Sequence, residues 1–170
     1  MVSGRRLVLV GAPASGKTTL GRTVAQRTGV AFTDTDDLLV AELGLSLPEA
    51  WASLPSGQIA AAETGVCLAA LDHDGIIALG SGAVAEPAVR DALAGKPVLW
   101  LQVSATQAAR RLGMTALGME TLVAVRGRLE AQLRERDPWY AAVATLRLDT
   151  DRLDVARAAE GVEQAWEGIA

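Results

Sequence analysis

Gly11-Ala12-Pro13-Ala14-Ser15-Gly16-Lys17-Thr18 sets two glycines, a lysine and a hydroxyl at the spacing G-x-x-x-x-G-K-[ST], directly after the apolar run Leu7-Val8-Leu9-Val10. This is a pattern for holding phosphate. Glycines at the ends let the loop turn tightly. The backbone N–H groups of Gly11, Ala14, Ser15, Gly16, Lys17, Thr18 and Thr19 are the candidates to surround phosphate oxygens. Lys17 reaches the outer phosphates and the Thr18 hydroxyl suits Mg²⁺. A helix starting here also points its positive end at the anion. An ordinary glycine-rich turn is the alternative reading. The flanking strand and the helical stretch after the loop favour a nucleoside triphosphate site.

Phosphoryl transfer further requires metal ligation, a group to orient the attacking hydroxyl, and positive charge. Asp34-Thr35-Asp36 offers two carboxylates. One can bind Mg²⁺ directly or through water, and the other can accept a hydrogen bond from a hydroxyl. The same run also reads as a helix N-cap followed by acidic first-turn residues, with Asp37 added. Both readings can hold together. Gly80-Ser81-Gly82 follows another apolar run. It lets backbone approach an acceptor closely, with Ser81 adding a hydroxyl, or it is a plain strand-to-helix turn.

The elements that must position these groups alternate along the chain. Strand-like runs cover 6–10, 31–33, 75–79, 97–103 and 145–148. Helical stretches cover 17–28, 36–43, 56–71, 87–94, 105–112, 123–136 and 154–168. This order predicts an α/β fold with a mostly parallel sheet and helices on both faces. Ligands then sit at the carboxyl ends of the strands, where the loops 11–16, 34–36 and 80–82 fall. The stretch 113–120 reads either as a cover over the nucleotide or as a helix–helix connection. The length of 170 residues fits one domain. A net charge of −4 argues against a general nucleic-acid binder. Lys17 and Lys96 are the only lysines, so the loop lysine is not compositional noise. Cys67 is the only cysteine, which excludes an internal disulfide and reads as a small buried hydrophobe. His73, the only histidine, reads as a solvated turn residue, and Trp100 and Trp166 read as core. The sequence shows no signal peptide and no membrane-length apolar run, so a soluble cytoplasmic protein is expected.

GAPASGKTTLG, DTDDLL, LGSGAV, RERDPWY and LRLDTDR stand in this order, and with them the chain resembles the shikimate kinase family over nearly its whole length. The resemblance implies a P-loop NTPase fold of the nucleoside-monophosphate-kinase type, with three α/β/α layers and a five-stranded parallel sheet. It implies ATP and Mg²⁺, with the γ-phosphate passing to a ring hydroxyl. The whole chain, 1–170, would be one kinase domain with its phosphate loop at 11–18, an acceptor region at about 34–65 and a lid at about 112–125. Lys17 and Thr18 would hold phosphate and metal, and Asp34 would hold Mg²⁺ through water. Asp36 would contact the acceptor hydroxyls, making Lys17 and Asp36 the catalytic pair. Gly80, Ser81 and Gly82 would line the acceptor pocket, and Arg136 would meet the acceptor carboxylate. Arg111 and the loop around Thr150 and Arg152 would lie against the adenine. A monomer with a small-molecule acceptor is expected, with no nucleic-acid or membrane partner.

The chain also departs from the family. Ile59-Ala60 stands where members carry a Phe-Arg pair, with Glu63 at the position of the following Glu. Ala60 thus replaces an arginine that clamps the acceptor carboxylate, and residues 29–89 contain no Lys or Arg at all. Losing such a pair costs roughly 2–5 kcal/mol of binding. The lid Arg-Pro pair is also missing, because Ala116-Leu117-Gly118-Met119 stands there and no Arg occurs from 112 to 125. Such an arginine is worth several powers of ten in rate. Arg126 and Arg128 are the candidates to replace it from the next helix. Trp51, Ile59 and Trp139 would reshape the apolar side of the pocket. Four readings follow: a kinase acting on shikimate; a kinase for a less anionic polyol, cyclitol or amino sugar; a non-catalytic ATP-binding relative; and a nucleoside monophosphate kinase. The last is disfavoured by the absence of cations across 29–89.

Overall fold

The computed structural model describes residues 4–113 and 118–169. Five strands form one sheet: β1 (Arg6–Val10), β2 (Phe32–Asp34), β3 (Gly75–Ala78), β4 (Val98–Gln102) and β5 (Leu146–Asp149). Every pairing is parallel and the order is β2-β3-β1-β4-β5. Among the described residues eight α-helices connect and cover it: α1 (Lys17–Thr28), α2 (Thr35–Leu43), α3 (Leu47–Ser53), α4 (Ser56–Ala70), α5 (Pro87–Leu93), α6 (Ala105–Arg111), α7 (Met119–Val143) and α8 (Val155–Glu167). The expected three-layer α/β/α arrangement is therefore present.

Strand periodicity explains the layers. Successive side chains of a strand point to opposite faces. Leu7 and Leu9 pack with Leu20, Val24, Val162 and Trp166 of α1 and α8. Val8 and Val10 pack on the other face with Cys67, Val89, Leu93 and Tyr140. A sheet buried on both sides needs near-continuous apolar strands, as a parallel sheet does. Trp100 and Trp166 are core residues as expected, and Cys67 is fully buried. His73 is exposed, beside the Thr33 hydroxyl at 3.2 Å.

The sequence reading missed α3, whose start carries its own signal. The Ser46 hydroxyl accepts from the Glu49 N–H while Glu49 receives the Ser46 N–H, a reciprocal capping box with Pro48 in the first turn. The run is short and weakly apolar, so periodicity did not reveal it. The expected end of the sixth predicted helix, 123–136, is also corrected, since α7 continues through Pro138 to Val143. Pro138 removes one N–H from the ladder, but Tyr140 beyond it is fully buried in the core and holds the last turns in place. At its other end α7 begins at Met119, so the second half of the expected lid at 112–125 is helix. Residues 114–117 of that lid, including Ala116 and Leu117, lie outside the described residues. Among the described residues, no helix is long and apolar enough to cross a membrane.

Gly75 begins β3 at φ +99°, and a Cβ there would stand 2.3 Å from the Ala31 carbonyl oxygen. Both the backbone angle and the contact exclude a side chain. Gly75→Ala is expected to destabilise the fold by about 3 kcal/mol, read as a lower urea midpoint at unchanged slope. An unchanged midpoint would contradict this account.

Candidate active site

The phosphate loop joins β1 to α1 and depends on its glycines for steric reasons. Gly11 has φ +153°, and a Cβ there would lie 2.5 Å from the Leu101 carbonyl oxygen and 2.8 Å from Ser15 Oγ. Gly16, at φ +99°, forms the left-handed N-cap of α1. Ala14 is also left-handed at φ +60°, an uncommon state for a residue with a side chain. Lys17 Nζ folds back to donate to the Gly11 carbonyl (2.7 Å) and the Ala12 carbonyl (3.0 Å). Burial lowers its pKa from the usual lysine value to about 8, with the charges of Asp36 and Asp34 opposing that fall. Ser15 Oγ is buried with no hydrogen-bond partner. An orphaned hydroxyl and a desolvated ammonium in one loop suit an anion that takes hydrogen bonds and charge.

The two readings of Asp34 are realised by one carboxylate. Oδ1 accepts from the Asp36 N–H (3.0 Å) and caps α2, while Oδ2 accepts from Thr18 Oγ1 (2.6 Å). Two hard oxygen donors from different elements therefore stand side by side, a fit for Mg²⁺. Among the described residues no cluster of three or more His, Cys, Asp and Glu side chains could hold a metal by itself. Mg²⁺ would need phosphate oxygens or water to complete its coordination. Asp36, one step into α2, has its pKa raised first by burial and next by Asp34. A cleft of about 320 Å³ lies between these groups, lined by Lys17, Thr18, Asp34, Asp36 and Ser81 among others.

Three residues outside the predicted set build the far wall. Thr35, fully buried, receives the Gly80 N–H on its hydroxyl at 2.8 Å and ties α2 to the loop after β3. Glu63 of α4 faces that loop, and a Cβ on Gly80 would meet Glu63 Oε1 at 2.8 Å and Asp36 Oδ1 at 2.7 Å. Tyr140 donates its phenol O–H to the Ser81 carbonyl at 2.6 Å. Arg136, one turn earlier on α7, donates to the same carbonyl at 3.1 Å. Spacing offered a signal for the last pair, because four residues along a helix put Arg136 and the sole tyrosine on one face. Arg134 and Glu135 point to solvent. Ala60 sits half-buried on α4, one turn before Glu63. Gly82, also facing Glu63, completes the loop.

A second cleft of about 560 Å³ adjoins the phosphate loop, with Ala14, Thr19 and Arg111 on one side and Leu153 and Val155 on the other. Arg111 crosses its floor, donating to the Ala14 carbonyl (3.1 Å), the Thr150 hydroxyl (3.0 Å) and the Thr150 carbonyl (2.6 Å). Arg152 is exposed and makes no hydrogen bond or ion pair among the described residues, unlike its expected partner Thr150. Arg126 is held on the surface by Glu130 at 3.0 Å, and Arg128 is exposed. Neither is seen in the cleft.

A family model described as shikimate kinase matches residues 13–167. The shikimate kinase of Mycobacterium avium is 42% identical over 151 residues, covering 86% of this chain and 85% of that protein. That of Mycobacterium tuberculosis is likewise 42% identical over 151 residues, with the same coverage. A solved shikimate kinase from Acinetobacter baumannii, in complex with shikimate, shares the fold with a TM-score of 0.82 at 23% identity, covering 94% of this chain and 91% of that one. The enzyme from Aquifex aeolicus does so with a TM-score of 0.72 at 15% identity, covering 96% of each chain.

Gly80 leaves room for two carboxylates at once. Gly80→Ala is expected to displace Asp36 and Glu63 and to lower turnover about a hundredfold, with nucleotide affinity and melting temperature close to the parent's. Steady-state kinetics beside a thermal melt checks this, and full activity in the variant would show that neither carboxylate position matters.

Proposed function

The chain belongs to the shikimate kinase family and is an ATP-dependent phosphotransferase of that type, and we propose that its cleft moves the γ-phosphate of ATP to a hydroxyl of a small polyhydroxylated ring. The observation that carries this reading is the convergence of Lys17, the Thr18–Asp34 pair and Asp36 on one cleft from three separate segments. Backbone N–H groups from Gly11 to Thr19 surround the phosphates. The ribose and base occupy the neighbouring cleft against Arg111 and Thr150, whose mutual hydrogen bonds stiffen its floor. Arg152, exposed on the same loop as Thr150, lies over the base. Thr18 and Asp34 would hold Mg²⁺, the latter directly or through water. Bound there, Mg²⁺ offsets negative charge on the phosphate oxygens.

Asp36 faces the acceptor. Its raised affinity for protons suits a group that orients an attacking hydroxyl and takes its proton. The hydroxyl oxygen bonds to the γ-phosphorus, the bond from that phosphorus to the bridging oxygen breaks, and ADP leaves with the electron pair. Lys17 exchanges its two carbonyl partners for phosphate oxygens and stabilises the charge that spreads over them. The acceptor ring lies against Gly80, Ser81 and Gly82, between Ala60 on α4 and Arg136 on α7. Tyr140 and Arg136 keep the Ser81 carbonyl fixed, so the loop meets its ligand with little rearrangement. The net charge of −4 accords with a small-molecule acceptor rather than a nucleic-acid partner, and the chain is taken to act as a monomer.

The lowered Lys17 pKa gives a test specific to this loop. Phosphates favour the ammonium, so they raise a pKa that starts at about 8. ATP binding at pH 8 is expected to take up part of a proton, and affinity falls as pH rises above 8. Calorimetry in two buffers of different ionisation enthalpy reads the uptake directly. Lys17→Ala should abolish it and weaken ATP binding at least about tenfold. Equal heats in both buffers, or undiminished affinity in the variant, would remove Lys17 from the phosphate site.

A further inference from the structure

The charge balance of the acceptor side differs from that of the phosphate side. Lys17 is committed to the phosphate loop. On the acceptor side α2, α3 and α4 contribute no cation, because residues 29–89 contain neither Lys nor Arg. Arg136 is the one guanidinium at this wall among the described residues, and one of its nitrogens is spent on the Ser81 carbonyl. Residues 112–125 add no cation either. Against this stand Asp36 and Glu63, whose carboxylates converge over Gly80. Glu63 is half-buried, yet among the described residues it makes no hydrogen bond and no ion pair.

Resting on the phosphotransferase reading above, we propose that the acceptor is a polyhydroxylated ring carrying an amine in place of a carboxylate, with its ammonium received by Glu63. A half-buried carboxylate that no protein group pairs is open to a ligand, and a cationic group is what matches its charge. The surroundings of Glu63 agree. Its pKa is raised by burial first and by Asp36 next, with Arg136 opposing and Glu86 adding to the rise. A carboxylate on the acceptor would add a further negative charge to this wall and would find only the unspent donors of Arg136. An ammonium beside Glu63 leaves the Asp36 carboxylate free for the attacking hydroxyl. It also explains why Ala60, one turn from Glu63 on the same helix face, is not a cation: an Arg at that spacing would pair with Glu63 and occupy the ligand's place.

The test measures ADP release by the full chain with ATP and Mg²⁺, comparing shikimate, an uncharged cyclitol and the corresponding aminocyclitol. The expected order of kcat/KM is aminocyclitol, then cyclitol, then shikimate, with the first exceeding the second roughly 10–100-fold. Glu63→Gln should erase that preference through KM for the aminocyclitol while leaving ATP affinity and melting temperature unchanged. Ala60→Arg, which places a cation beside Glu63, should weaken the aminocyclitol and improve shikimate. Highest kcat/KM with shikimate, equal values for amine and uncharged ring, or an unaltered preference in Glu63→Gln would overturn the amine proposal and leave the phosphotransferase reading standing. Absence of ADP release with every acceptor, despite retained ATP binding, would overturn both.

Discussion

Parallel hydrogen bonding of β3 to β1 on one edge and to β2 on the other fixes where Lys17, Asp34 and Asp36 stand. Leu9 pairs with Ala78 and Ala78 with Asp34, so the three strands end at one level. Just beyond those residues the chain turns into the phosphate loop, the start of α2 and the loop at Gly80. A slip of one residue in either pairing would reverse the faces of a strand buried on both sides. The apolar side chains on each face therefore hold the register, and the register holds the site. The chemistry depends on the core in this direct geometric sense.

Placing ionisable groups at the edge of such a core has electrostatic consequences. Desolvation lowers the Lys17 pKa and raises those of Asp36 and Glu63, so all three are shifted toward their neutral forms. Neighbouring opposite charges reduce the shifts without removing them. The free cleft is consequently short of solvation, and ligands carrying the matching charge restore it. A triphosphate does so for Lys17. An unpartnered Glu63 makes the same demand of the acceptor, with the opposite sign.

Helix α7 links these two halves. Its middle packs Leu129 against Val103 and Ala108 near α6, while its last turns bury Tyr140 under the sheet. Arg136 and Tyr140 reach from this braced segment to one carbonyl of the acceptor loop. Arg90 of α5 grips the following turn through the Val84 and Ala85 carbonyls, and its guanidinium lies 5.1 Å from the Trp139 ring centre. The loop is thus held from behind by two helices, which keeps a glycine-bearing segment in one conformation. Pro138 within α7 is tolerated because the tertiary contacts of its neighbours outweigh a single lost backbone hydrogen bond.

Local chemistry was legible in the sequence wherever short-range rules govern it. The glycines of the phosphate loop, the alternation of strands and helices, and the Asp34 cap follow from steric limits and hydrogen-bond geometry within a few residues. The strands and most of the helices were placed from periodicity to within a residue or two at their ends. The capping box at Ser46 was equally local but went unread because its helix is short. The roles of Thr35, Glu63 and Tyr140 were not legible in this way. Each is defined by a contact with the Gly80–Ser81 backbone, and that backbone is distant along the chain. The same holds for the Lys17 pKa and for the missing partner of Glu63. Burial and charge proximity are properties of the assembled layers, so composition and spacing supplied the residues while packing alone decided what each one faces.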